Sequence, residues 1–230
     1  MLGFSDLELE ALQVSLKVGL WSIFWTFPVA LGCAWLLARK EFAGKTALNA
    51  VIHLPLVVPP VVIGYLLLVL LGRQGVIGGV LEDWFGVGLV FTWQGAAIAA
   101  SVVAFPLFVR PIRQALETVD PRLEEAAVTL GANTRQAFFA VTLPIVTPGI
   151  ITGALLFFAR ALGEFGATIT FAANIPGETQ TLPLALYTAT QTPGADPVAM
   201  RLVILSLVLA LSALILSEWL ARRANLKVRG

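Results

Sequence analysis

The sequence predicts an all-α, polytopic membrane protein, and three observations carry that expectation. Of the 230 residues, 58% are hydrophobic and 13% charged, with a mean hydropathy of +0.87. An ordinary soluble domain has roughly 45–50% apolar and about 25% charged residues. Apolar runs also recur at the length of about 20 residues that a helix needs to cross about 30 Å of hydrocarbon. Finally, Lys and Arg gather in alternate connecting segments. A chain this apolar has no means of staying solvated as a disordered coil. A net charge of +1 and a pI near 7.9 supply no overall basic field for nucleic acid. The single cysteine, Cys33, excludes a disulfide framework and a cysteine-based metal site.

Five spans are expected in one domain of residues 1–230. The first covers residues 12–38 and follows Asp6, Glu8 and Glu10, acids where a cleavable signal peptide would carry bases. The second covers 50–71, the third 94–112, the fourth 148–172 and the fifth 202–221, each bounded by charges or turn residues. Short loops rich in Lys and Arg stay in the cytoplasm. Arg39, Lys40 and Lys45 follow span one; Arg110, Arg113, Arg122 and Arg135 lie around and after span three; Arg222, Arg223, Lys227 and Arg229 form the tail. Only Arg73 and Arg201 lie on the other side, with Lys17 and Arg160 inside spans. The N-terminus is therefore expected outside and the C-terminus inside. No fixed period and no pair of inverted halves is visible, which speaks against a repeat-built secondary transporter.

The cytoplasmic segment 120–147 is the most informative. Asp120 suits an N-cap, Pro121 the first helical position, and Glu124 and Glu125 the opening turns, where the helix dipole favours acids. A helix from Pro121 to Leu130 is expected to end at Gly131. Asn133 or Thr134 then caps a second helix that runs towards Leu143 and stops at Pro144, and Pro148 restarts the chain as span four. Leu123, Ala127 and Leu130 share a face, so the segment reads as an amphipathic helix resting on the bilayer or as a docking helix. Small Ala126 and Ala127 beside an acid admit a partner's close approach.

The run Glu125-Ala126-Ala127, three residues to Gly131, nine more to Val141, then Leu143-Pro144, resembles the coupling-loop signature of the permease subunits of ATP-binding-cassette (ABC) importers. The family pattern has Ile where this chain has Val141. The stretches HLPLVVPPVVIGYLLL (53–68), FARALGEFGATITF (158–171) and NIPGETQTLPLALYTATQTPG (174–194) extend the resemblance over nearly the whole chain, to the permeases of molybdate importers, with sulfate permeases as near neighbours. The resemblance implies the type I importer permease fold and a homodimer in the bacterial inner membrane, in contact with lipid. It also implies a cytoplasmic ATPase dimer holding ATP-Mg, and a periplasmic protein that delivers molybdate or tungstate. No GxxxxGK[ST] motif occurs, so no cofactor is expected in this chain. A sulfate or thiosulfate permease is the alternative. A membrane enzyme or an anchor is remoter, since one His, one Cys and no HExxH motif leave little for catalysis.

Several residues admit two readings. Arg160 and Glu164, four apart in span four, share a face and read as a mutually satisfied packing pair, or as a site where Arg160 senses the dianion. Pro59 and Pro60, with Pro55, give span two a static kink or a hinge. Gly163 and Gly166 suit a close helix contact or a flexible gate. His53 reads as interfacial packing rather than a metal ligand. The six tryptophans suit an aromatic belt. The apolar patch 182–187 in the last outer loop suits a short helix dipping towards the membrane or a contact with the binding protein.

Overall fold

A computed structural model describes residues 4–229. Residues 1–3 and 230 of the expected domain lie outside the described residues, as do the side chains of Arg222, Lys227 and Arg229. The described chain is helical, with α1 (Asp6–Arg39), α2 (Lys45–His53), a 3-10 turn (Leu54–Leu56), α3 (Pro60–Leu71), α4 (Val76–Phe85) and α5 (Trp93–Thr118). Then come α6 (Pro121–Thr129), α7 (Thr134–Ala137), a π turn (Phe138–Thr142), α8 (Leu143–Leu162), α9 (Gly166–Phe171), α10 (Leu182–Gln191) and α11 (Asp196–Arg229). Among the described residues four helices are long and apolar enough to span, and the bent pair α2–α3 makes a fifth.

The centre is α5, packed against α1 and α8. Ala96, Ala100 and Ala104 are fully buried along it, so neighbouring backbones come close without a bulky side chain between them. Phe108 packs at a tilt against Phe157 of α8, 5.2 Å between ring centroids, and against Phe27 of α1 at 6.0 Å. On α8, Gly149 and Gly153 lie four apart and press onto α5. A Cβ at Gly153 would sit 2.8 Å from the Phe108 carbonyl oxygen, and one at Gly149 would sit 2.9 Å from that of Pro111.

Three expectations need correction. Span two is not one helix, because α2 with its 3-10 turn meets α3 at 114°. Val58 and Pro59 each precede a proline and are pushed out of the helical region, and neither Pro59 nor Pro60 has an N–H to continue a ladder. Span four ends at Leu162 rather than 172, and the chain breaks at Gly163–Phe165 before α9. Pro144 does not stop the second cytoplasmic helix either. The π turn widens the coil, with the Leu143 N–H donating to the Phe138 carbonyl, so Pro144 enters within the first turn of α8 and the helix runs on from Thr134 to Leu162.

Candidate functional site

The coupling segment is held by local chemistry at every turn. The Asp120 side chain accepts from the Arg122 N–H at 3.0 Å, which caps α6. The helix closes as a Schellman motif: the Ala132 N–H donates to the Ala127 carbonyl at 3.1 Å, and the Gly131 N–H to that of Val128 at 3.0 Å. Gly131 has φ +98°, a conformation that side chains other than glycine adopt at a cost. Asn133 and Gln136 then form a reciprocal capping box at 2.9 Å in each direction. Of the two proposed caps, Asn133 is the one used.

Of the residues in the coupling signature, Glu125 and Ala126 are exposed, Ala127, Val141 and Leu143 are half-buried, and Gly131 and Pro144 are exposed. Among the described residues the Glu125 carboxylate has no ion-pair partner. Leu123, Val128, Leu130 and Phe139 of the same segment are also exposed, Leu130 at 90%. By helical spacing Leu123, Ala127 and Leu130 share one face of α6 and Glu125 lies on the opposite one, so the segment presents an apolar face and a free acid on different sides.

A residue that the sequence pattern did not single out ties this surface to the membrane part. Glu124 receives a hydrogen bond from Arg39 at the end of α1, 3.1 Å, and another from the buried Thr142 hydroxyl in the π turn. One carboxylate thus joins α6, α1 and the start of α8. The signal available in the sequence was the acid in the opening turn of α6 and the basic end of span one, which charge counting used only for orientation.

The second cluster lies where the two interrupted spans meet. Arg160 Nη1 is 2.7 Å from Glu164 Oε2, and the Glu164 side chain is 1% exposed. That contact is close but lacks hydrogen-bond alignment, while Glu164 Oε1 accepts from the Ala167 N–H at 2.8 Å. Glu164 therefore both neutralises Arg160 and caps α9. Pro59 is the N-cap residue of α3 and Pro60 its first. A Cβ on Gly166 would meet Pro60 Cβ at 3.0 Å, and one on Gly64 would meet the Ala167 carbonyl oxygen at 2.7 Å. Gly166 is thus at a close helix contact, whereas nothing outside its own helix crowds Gly163. Phe165, in the break, packs against Tyr187 of α10 at 5.2 Å between centroids. The 182–187 patch is the start of α10, with Leu182, Leu184 and Ala185 buried.

The outer ends are tied separately. Glu8, 2% exposed, accepts from Arg201 at 2.8 Å and from the Ser5 N–H. The Leu182 N–H donates to the Ser15 hydroxyl at 2.7 Å, and Lys17 lies over the Trp93 ring at 3.8 Å. A hollow of about 850 Å³ opens between the ends of α3, α4 and the start of α5, with Arg73 paired to Glu82 at 3.1 Å on its wall.

An all-helical membrane chain with two interrupted spans and a helical turn held outside the membrane has the fold of an ABC importer permease. A bacterial ABC transporter for alginate matches it with a TM-score of 0.75 at 20% identity, over 96% of this chain and 80% of that one. The MetNI methionine transporter in an inward-facing conformation matches with a TM-score of 0.69 at 18% identity, over 96% and 99%. The chain belongs to the family of binding-protein-dependent transport system inner membrane components, whose pattern matches residues 27–226. Among its relatives, the molybdenum transport system permease protein ModB of Haemophilus influenzae is 54% identical over 222 residues, 96% of this chain and 97% of that protein. The protein of the same name from Escherichia coli K12 is 56% identical over 218 residues, 95% of each. The sulfate transport system permease protein CysW of Synechococcus elongatus is 42% identical over 183 residues, 80% of this chain and 63% of that protein.

Proposed function

We propose that the chain is the permease subunit of an ATP-driven molybdate importer of the bacterial inner membrane. It acts as a homodimer, takes molybdate or tungstate from a periplasmic binding protein and catalyses no covalent chemistry itself. The observation that carries this reading is the end-to-end likeness to two molybdenum permeases, which exceeds the likeness to the sulfate permease in both identity and coverage.

The coupling geometry fits that role. ATP-Mg belongs to a separate ATPase dimer, whose groove receives the exposed face of α6, with Ala126 allowing close approach and Glu125 supplying the charge. Gly131, Val141, Leu143 and Pro144 hold that face in place. Because Glu124 bonds to both Arg39 and Thr142, a displacement of α6 reaches α1 and α8 together. Movement of α8 in turn acts on the break at Gly163–Phe165 and, across Gly64 and Gly166, on α3. The outer hollow and α10 face the side from which the binding protein delivers its anion.

The test is uptake of labelled molybdate into vesicles that hold the permease with its ATPase and binding protein. ATP-dependent uptake that resists excess sulfate, yields to tungstate and is abolished by Glu125→Lys is the expected result. Uptake of sulfate in its place would keep the importer and overturn the molybdate assignment.

A further inference from the structure

A polar pocket of about 370 Å³ lies at the cytoplasmic end of α5, where α2 packs across it, lined by Asn49, His53, Arg110, Arg113, Gln114 and Glu117. None of these residues belongs to the coupling segment or to the Arg160–Glu164 cluster. Arg113 is fixed in the wall: its Nη1 donates to Asn49 Oδ1 at 2.9 Å and its Nε to Glu117 at 2.7 Å. The His53 ring is fixed as well, Nδ1 lying 2.8 Å from the Asn49 carbonyl, so Nε2 is the nitrogen left over. Arg110 is exposed and, among the described residues, pairs with no carboxylate.

The charge count decides what such a pocket holds. Two guanidiniums face one carboxylate, and that carboxylate is already bonded to Arg113, so Arg110 contributes an uncompensated positive charge beside the Gln114 amide and the imidazole. A planar guanidinium with free N–H groups recognises a phosphate-like oxyanion. The position selects the form of that oxyanion. The pocket occupies the last turns of a spanning helix, on the side that carries most of the Lys and Arg and is therefore expected to face the inner leaflet. Basic pockets between spanning helices on the cytoplasmic side suit anionic headgroups.

We propose that this pocket binds the phosphate of an acidic phospholipid of the inner leaflet, with Arg110 as the principal contact and Arg113 as a fixed second donor. The lipid would brace α2 against α5 below the bend in span two. A free oxyanion in the cytoplasm has the same chemistry, and the experiment distinguishes the two sources.

The complete complex, delipidated in detergent, is titrated with phosphatidylglycerol or phosphatidylcholine, and retained lipid per chain is counted by native mass spectrometry. Labelled inorganic phosphate and molybdate are tested separately by equilibrium dialysis without lipid. Preferential retention of phosphatidylglycerol is expected, weakened about five-fold by Arg110→Gln and unchanged by Arg135→Gln. Gln114→Glu, which places a carboxylate in the pocket without touching Arg113, should abolish the preference even if the Arg110 variant fails to assemble. Dialysis showing Arg110-dependent binding of phosphate or molybdate, with no lipid preference, would keep the oxyanion site and replace the lipid as its occupant. Equal retention of both lipids by wild type and variants, with no Arg110-dependent binding of either free anion, overturns the proposal.

Discussion

Adjacent acids on α6 have opposite surroundings. Glu125 is exposed and unpaired, while Glu124, one residue earlier, turns inwards to Arg39 and Thr142. A charge-assisted hydrogen bond contributes about 1.5–3 kcal/mol. Glu124→Ala should therefore leave ATPase docking intact and weaken the transmission of α6 movement to α1 and α8: copurification with the ATPase persists, while molybdate uptake falls about ten-fold relative to ATP hydrolysis. Loss of copurification in this variant would place Glu124 in the docking surface itself. At the Arg160–Glu164 pair, burial favours the packing reading. A Glu side chain 1% exposed and held by Arg160 and by the Ala167 N–H has the contacts of a neutralised cap, and on that reading removing its cation strands a buried charge at a cost of about 3–5 kcal/mol. Arg160→Gln should lower the yield and melting temperature of the assembled complex, and Arg160→Lys should restore most of both. Normal assembly of Arg160→Gln with transport lost would instead assign Arg160 to anion sensing.

Among the elements, the two interrupted spans belong together. Prolines break one, the Gly163–Phe165 segment breaks the other, and the pieces beyond the breaks, α3 and α9, pack through glycines. At Gly64 a Cβ would lie 2.7 Å from the Ala167 carbonyl and 2.9 Å from its Cα, both backbone atoms that cannot rotate away. Gly64→Val should therefore separate α3 from α9 at a cost of about 1–3 kcal/mol, lowering thermal stability and uptake together. Gly32→Val, on an α1 position with open space around it, should change neither. If Gly64→Val transports normally, the α3–α9 contact is not part of the conducting structure. The breaks also show what a sequence carries about elements. The caps at Asp120, Gly131 and Asn133 were legible because each depends on neighbouring residues within a turn. Pro59 and Pro60 announced a disturbance, but the 114° angle depends on α9, more than 90 residues away. Pro144 misled because the π turn upstream of it absorbs a proline that would end an ordinary helix. The Gly149–Gly153 spacing was readable as a small-residue contact motif and went unread beneath the span's hydropathy.

At the scale of the molecule, the structure separates two sets of long-range polar contacts. One set joins Arg39 to Glu124, Asn49 to Arg113 and Glu124 to Thr142. The other joins Glu8 to Arg201, Ser15 to Leu182 and Trp93 to Glu178. Every partner in the first set lies in or beside a segment that Lys and Arg placement assigns to the cytoplasm, and every partner in the second lies towards the opposite face. Charge asymmetry across the bilayer and side-chain pairing within the fold are independent, and their agreement is consistent with five spans and a cytoplasmic C-terminus. An orientation expectation needs only the signs of the loops, whereas a helix end depends on what packs against it. Labelling of single cysteines in a Cys33→Ser background checks this directly. Thr190→Cys, at an exposed position of α10, should react with a membrane-impermeant maleimide in spheroplasts, and Thr134→Cys beside the coupling turn only in inverted vesicles. The reverse pattern would turn the molecule over, put the exposed face of α6 where no ATPase can reach it, and remove the basis of the coupling mechanism.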